Sequence, residues 1–170
     1  YNRAMFLRDH GRHATIPYYT VEATPKYMPF NIQAAIGYAQ FKRIDELIAR
    51  KRELFFMYRD FLGEVSDIQL NEESADVYNG AWATSLVFGK SHNLTKQKVM
   101  EELALRGFPS RPFFYPLSSL SAYSCYKTGD VSINPVAYDV SSRAITLPAA
   151  YDLTRKQIER YCNALKDVIK

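Results

Sequence analysis

The sequence is poor in the features that mark secreted, metal-bound or membrane-embedded chains. Its two cysteines, Cys125 and Cys162, lie far apart and match no metal-ligand or redox spacing. They cannot frame a disulfide scaffold, so a reducing, cytoplasmic setting is expected. No apolar run approaches the roughly 20 residues that cross a bilayer, and Tyr1-Asn2-Arg3-Ala4-Met5-Phe6 lacks the layout of a signal peptide, which argues against a membrane partner. Charge is not segregated by sign: 22 Lys+Arg are interleaved with 18 Asp+Glu for a net +4, so nucleic acid is not the expected partner. Asp9, His10 and His13 have metal-like spacing, but no further ligand follows nearby and His92 is distant. No metal site is expected.

What is present suits a packed core, with 47% hydrophobic residues in 170. Ala4, Met5 and Leu7 read as a short amphipathic helix stopping at Gly11, and a chain that opens at tyrosine inside such a helix reads as part of something longer. Between Gly11 and Pro29 the prolines and tyrosines predict a loop. From Asn31 to Leu62 there is no proline, and apolar residues recur at three-to-four spacing, which predicts one unbroken helix ended by Gly63. Its start, Ala34-Ala35-Ile36-Gly37, is apolar nearly all round and is expected to be buried. At 1.5 Å per residue the helix would reach about 45 Å, long enough to bridge two bodies. The basic residues Lys42, Arg43, Arg50, Lys51 and Arg52 are mixed with acids, Glu46 being placed for an ion pair with Arg50, and read as a solvated helix face.

After a polar stretch, Trp82, Thr84, Leu86 and Phe88 alternate with smaller residues as a strand between Gly80 and Gly89, with Trp82 expected in the core. Thr95 caps a helix running to Arg106. Residues 110–116 suit an edge strand or an extended loop, and 118–134 read as irregular surface. Ala144 to Pro148 predicts another strand, and Thr154 with Gln157 forms a capping box that opens the last helix. The fold class is therefore α/β: a long helix, then a small C-terminal α/β domain, with the division at 1–63 and 64–170.

Four stretches together resemble the nucleotide-sugar aminotransferases of the DegT/DnrJ type, within the fold-type I pyridoxal-phosphate enzymes. They are Leu7-Arg8-Asp9-His10-Gly11-Arg12; Lys26-Tyr27-Met28-Pro29-Phe30-Asn31-Ile32-Gln33-Ala34-Ala35-Ile36-Gly37; Arg111-Pro112-Phe113-Phe114-Tyr115-Pro116-Leu117; and Ile145-Thr146-Leu147-Pro148 with Leu153-Thr154. Each is weak alone, but their order and spacing match the family's C-terminal half. The resemblance implies a homodimer with pyridoxal 5'-phosphate near its interface, a large domain carrying the Schiff-base lysine, and a small C-terminal domain to which this chain corresponds. It implies transfer of an amine, often from glutamate, to a keto-sugar on a nucleotide diphosphate. No catalytic residue is assigned within this chain, because the family's lysine motif is absent from it. Lys42, Lys51, Lys96, Lys98, Lys156, Lys166 and Lys170 fall on predicted helices or at the chain end and are expected in solvent.

The resemblance also marks binding residues. Lys26 stands where the family often has an asparagine that reaches the cofactor phosphate across the dimer. His10 and Arg12 correspond to residues near the sugar-nucleotide entrance, although cations there also suit a helix C-terminus. Arg111, Phe114 and Tyr115 are expected at the substrate cleft, with Phe113 in the core because an extended segment sends alternate side chains to opposite faces. Ser118 replaces a histidine common in relatives and could still hydrogen-bond a diphosphate. Two other functions are open: a sugar dehydratase of the same family, or a non-catalytic binding module.

Overall fold

Glycine and proline restrict regular structure near the N-terminus to two helices. The computed structural model describes residues 1–17, 19–25, 28–120 and 131–169, and the chain forms two compact units, Tyr1–Ile44 and Asp45–Lys170. In the first unit, α1 (Asn2–Arg8) ends where Gly11 takes φ +57° and donates its N–H to the Phe6 carbonyl at 3.0 Å. The loop then folds back, with His13 N–H on the Tyr19 carbonyl at 2.8 Å and Val21 N–H on that of Gly11 at 2.9 Å. The Thr24 hydroxyl donates to the Leu7 carbonyl at 2.8 Å, and Arg3 makes a forked contact with Glu22. That ion pair is solvent-exposed and adds little, so the Gly11–Phe6 and Thr24–Leu7 hydrogen bonds hold the loop to α1.

The helix expected to run unbroken to Leu62 is two. α2 (Asn31–Phe41) is capped by Gln33, whose side chain accepts the Phe30 N–H at 2.8 Å. It ends where Arg43 N–H turns to the Gln40 carbonyl, a three-residue closure that tightens the last turn, while Lys42 lies over the Tyr38 ring. α3 (Ile44–Leu62) then starts afresh with Asp45 and Glu46 in its first turn, the signs a helix N-terminus favours. Contrary to expectation, α2 buries none of its residues: Ile32, Ile36, Tyr38 and Phe41 are all exposed, because the described residues do not cover it.

In the second unit, which begins at Asp45, α3 is core. Leu54, Tyr58 and Leu62, at helical spacing, meet a sheet of order β1-β2-β4-β3: Ile68–Leu70, Ser85–Phe88, Ala144–Thr146 and Arg111–Pro112. All pairings are antiparallel, and the central register sets Leu86 opposite Ile145, both fully buried. Pro112 lies on the edge strand β3, where a missing N–H costs least. The second strand is shorter than predicted. Ala81 takes φ 48°, which breaks the extended run before Ser85, and Trp82 is 65% exposed, outside the core.

α4 (Lys96–Leu105) is capped by the Thr95 hydroxyl, which accepts from Lys98 N–H at 3.3 Å, and α6 (Arg155–Ile169) by the reciprocal Thr154–Gln157 contacts. The apolar face of α6, Ile158, Tyr161, Cys162, Leu165 and Ile169, closes the core. Each such side chain contributes about 1.5–3 kcal/mol by burial. The cations of α3 are not a solvated face: Arg50 pairs with Glu53 and donates to the carbonyls of Tyr151 and Leu153, Lys51 donates to that of Ala149, and Arg52 meets Glu73 at 2.8 Å. Glu46 accepts the Tyr151 hydroxyl.

Burial raises the pKa of Tyr58 and Tyr161 and pushes the Cys162 thiol up from 9.0 to about 12. The fold holds all three as neutral acids. Their contribution to stability is complete below the unfolded pKa values and is lost as pH rises through the folded ones. The urea midpoint should therefore fall steadily from about pH 9 upward, and Tyr161→Phe should make that fall shallower. A midpoint flat to about pH 11 in both proteins would contradict this packing.

Candidate functional site

Leaving the edge strand β3, the chain carries three consecutive aromatics across one side of the second unit. Phe113 N–H still bonds the Ala144 carbonyl at 3.3 Å, which ties the segment to the sheet and leaves Phe113 half-buried. Phe114 and Tyr115 then turn outward, 69% and 55% exposed. Opposite them stands a helix that the sequence reading did not assign, α5 (Pro135–Ser142), which has proline at its first position. Between the two runs an open groove of about 650 Å³, walled by Phe113, Phe114, Tyr115, Pro135, Val136 and Val140. Ser118, in a short 3-10 turn at Leu117–Ser119, donates to the Tyr138 hydroxyl on α5 at 3.1 Å. The structure thus brings Phe114, Tyr115 and Ser118 to one region, and places Arg111 at the exposed edge beside Thr146.

A lysine behind this groove corrects the expectation that every helical lysine is solvated. Lys96 is 3% exposed. Its Nζ lies 3.2 Å from the Ser141 hydroxyl, 3.5 Å from the Phe113 carbonyl and 3.9 Å from the centroid of the Tyr115 ring. None of these partners is acidic, so burial alone lowers the Lys96 pKa. Sequence pattern hid the residue because it directly follows the helix cap, a position that usually faces water. The signal for α5 was the Asn134-Pro135 pair before Val136 and Val140.

His10 and Arg12 belong to the first unit. His10 has φ 64° and is half-buried, and Arg12 is exposed and bridges to Thr20. Both follow α1, where cations suit the helix C-terminus. Lys26, Tyr27 and Cys125 lie outside the described residues. Among the described residues no cluster of three or more His, Cys, Asp or Glu could hold a metal, and no helix is long and apolar enough to cross a membrane.

The DegT/DnrJ/EryC1/StrS aminotransferase family model matches residues 1–166. GDP-perosamine synthase of Vibrio cholerae is 29% identical over 166 residues, covering 98% of this chain and 44% of that protein. Among solved structures, the Spr1654 protein of Streptococcus pneumoniae in its PMP form superposes with TM-score 0.83 at 22% identity, covering 99% of this chain and 44% of that one. Helicobacter pylori PseC, an aminotransferase involved in the biosynthesis of pseudoaminic acid, gives TM-score 0.81 at 15% identity, over 99% and 45%. This chain spans less than half the length of the curated relatives it matches. Over that stretch its fold is the one these sugar aminotransferases share.

The loop that presents His10 and Arg12 turns on Gly11, whose positive φ disfavours a side chain and where a Cβ would stand 2.4 Å from the Glu22 carbonyl oxygen. Gly11→Ala should destabilise this loop by more than about 1 kcal/mol. Hydrogen exchange at the amides of 11–24 should quicken while that of α6 stays unchanged; equal protection in both proteins would contradict the close approach.

Proposed function

The chain belongs to the DegT/DnrJ/EryC1/StrS aminotransferase family, and we propose that it is the C-terminal portion of a pyridoxal-phosphate-dependent aminotransferase that converts a nucleotide-linked keto-sugar to an amino-sugar. The observation that carries this reading is the extent of the match, which runs from residue 1 to residue 166 and is not confined to one motif. Relatives named for a GDP-linked sugar support a nucleotide-diphosphate substrate, and glutamate is the proposed amine donor. In this reading residues 1–63 are the end of the large domain, the aromatic and proline-rich loop and the interdomain helices, and 64–170 are the small domain, on which α3 packs.

Pyridoxal phosphate supplies an electron sink, and it needs a lysine, a carboxylate for its ring nitrogen and a set of phosphate ligands. The described residues do not fit that requirement: the buried amine of Lys96 faces a hydroxyl, a carbonyl and a ring, with no carboxylate among them. No chemical step is assigned to this chain. Its proposed share is binding. Phe114 and Tyr115 offer exposed ring faces to a base or sugar, Arg111 and the Ser118 hydroxyl offer polar contacts, and in the first unit His10 and Arg12 offer hydrogen-bond donors to a diphosphate. Lys26 is proposed as a ligand of the cofactor phosphate.

The uncovered apolar surface of α2 fits the same reading. Ile32, Ile36 and Phe41 form the kind of exposed patch that marks an interface, which we assign to the rest of the enzyme or its second subunit in a homodimer. An apolar dye should bind the isolated chain, and Ile36→Asp should reduce that binding; dye binding unaffected by the substitution would contradict the assignment.

The reading is tested with the product of the whole open reading frame. It should release 2-oxoglutarate from glutamate in the presence of a GDP- or dTDP-linked keto-sugar, while the 170-residue chain alone releases none. Loss of water from the sugar without amine transfer would mean a dehydratase, and no turnover of any nucleotide keto-sugar would overturn the enzyme reading.

A further inference from the structure

A charged amine in a protein core is unfavourable unless fixed partners replace its water. At Lys96 the replacements come from separate elements. Ser141 belongs to α5, while the Phe113 carbonyl and the Tyr115 ring belong to the segment after β3. The Ser141 hydroxyl in turn donates to the Phe114 carbonyl at 2.9 Å. One cation on α4 therefore reaches both walls of the aromatic groove. A methionine would fill much the same volume without the desolvation cost, so packing alone does not account for a lysine here. What the ammonium adds is direction. Its hydrogen bonds hold the Phe113 carbonyl and the Ser141 hydroxyl, which in turn holds the Phe114 carbonyl, and its charge favours the face of Tyr115 over the edge.

We propose that Lys96 is a positioning residue for the groove: its ammonium ties the Phe113 carbonyl, the Ser141 hydroxyl and the face of Tyr115 together, and so sets the angle at which Phe114 and Tyr115 meet a nucleotide-linked ligand. The last clause rests on the substrate reading given above; the tie itself does not.

The test uses the 170-residue chain labelled with ¹³C-tyrosine, the Tyr115 signal being assigned through Tyr115→Phe, with GDP as the probe of the groove. Lys96→Met should fold with a urea midpoint no lower than wild type, yet its Tyr115 ring signal should move toward that of free tyrosine. Lys96→Arg, which keeps the cation, should restore the wild-type signal and bind GDP about tenfold more tightly than Lys96→Met. A folded Lys96→Met chain with an unchanged Tyr115 signal would overturn the proposal. Should Lys96→Met not fold, Ser141→Ala carries the test, because it removes the link between the amine and the Phe114 carbonyl; groove signals identical to wild type would again overturn it. A Tyr115 signal that moves while GDP binds every variant equally, or none, supports the positioning and contradicts the nucleotide reading of the groove.

Discussion

The segment that leaves β4 must find donors for its carbonyls, and α3 supplies them. Tyr58 donates to the Pro148 carbonyl at 2.8 Å, Lys51 to that of Ala149, and Arg50 to those of Tyr151 and Leu153. Four carbonyls satisfied by one helix therefore fix where that helix lies against the sheet and where α6 begins. The aromatic contacts follow: Tyr58 meets Tyr161 edge-on, and Tyr161 meets Phe108 in the same way. The cations of α3 are consequently structural, and so unavailable as a phosphate-binding stripe.

From this frame the groove is assembled at the far edge of the sheet. β4 pairs centrally with β2 and on its other side with the short β3, so the residues after Pro112 leave the sheet at its margin. Antiparallel register holds Phe113 inward, and the next two aromatics are released to solvent beside α5. A rigid sheet edge facing a helix is a suitable place for a binding wall, because the aromatics' backbone is held while their rings stay free to meet a ligand. Behind them the buried Lys96 joins α4, α5 and the aromatic run.

Much of this was legible in sequence wherever a local rule coincided with the tertiary structure. The Thr95 cap, the Thr154–Gln157 box, the strand at Ala144 and the apolar face of α6 are such cases, and the four family stretches led to the family that the match over residues 1–166 establishes. Legibility ended where a non-local partner decided the outcome. The break at Lys42 and Arg43 carries no glycine or proline, and only a three-residue hydrogen bond at Arg43 marks it. Ala81 adopts a left-handed backbone that its residue type does not announce, which turned Trp82 out of the expected strand. The burial of Lys96 depends on Ser141 and Tyr115, neither of them near it in sequence. Alternation along an extended segment, a local rule, accounts for Phe113 inward and Phe114 outward, while Tyr115 departs from it where the chain leaves the sheet.

The central claim is that the side of the second unit bearing Phe114, Tyr115 and Ser118 forms a wall of the proposed nucleotide-sugar cleft. Photo-crosslinking tests it directly: the full-frame enzyme is irradiated with an azido derivative of a GDP-linked sugar, digested, and the modified peptide identified by mass spectrometry. The account predicts label within residues 111–119, suppressed by excess unlabelled GDP-sugar. Label that is protected by the same competitor but falls wholly outside 111–119 and α5 would contradict it.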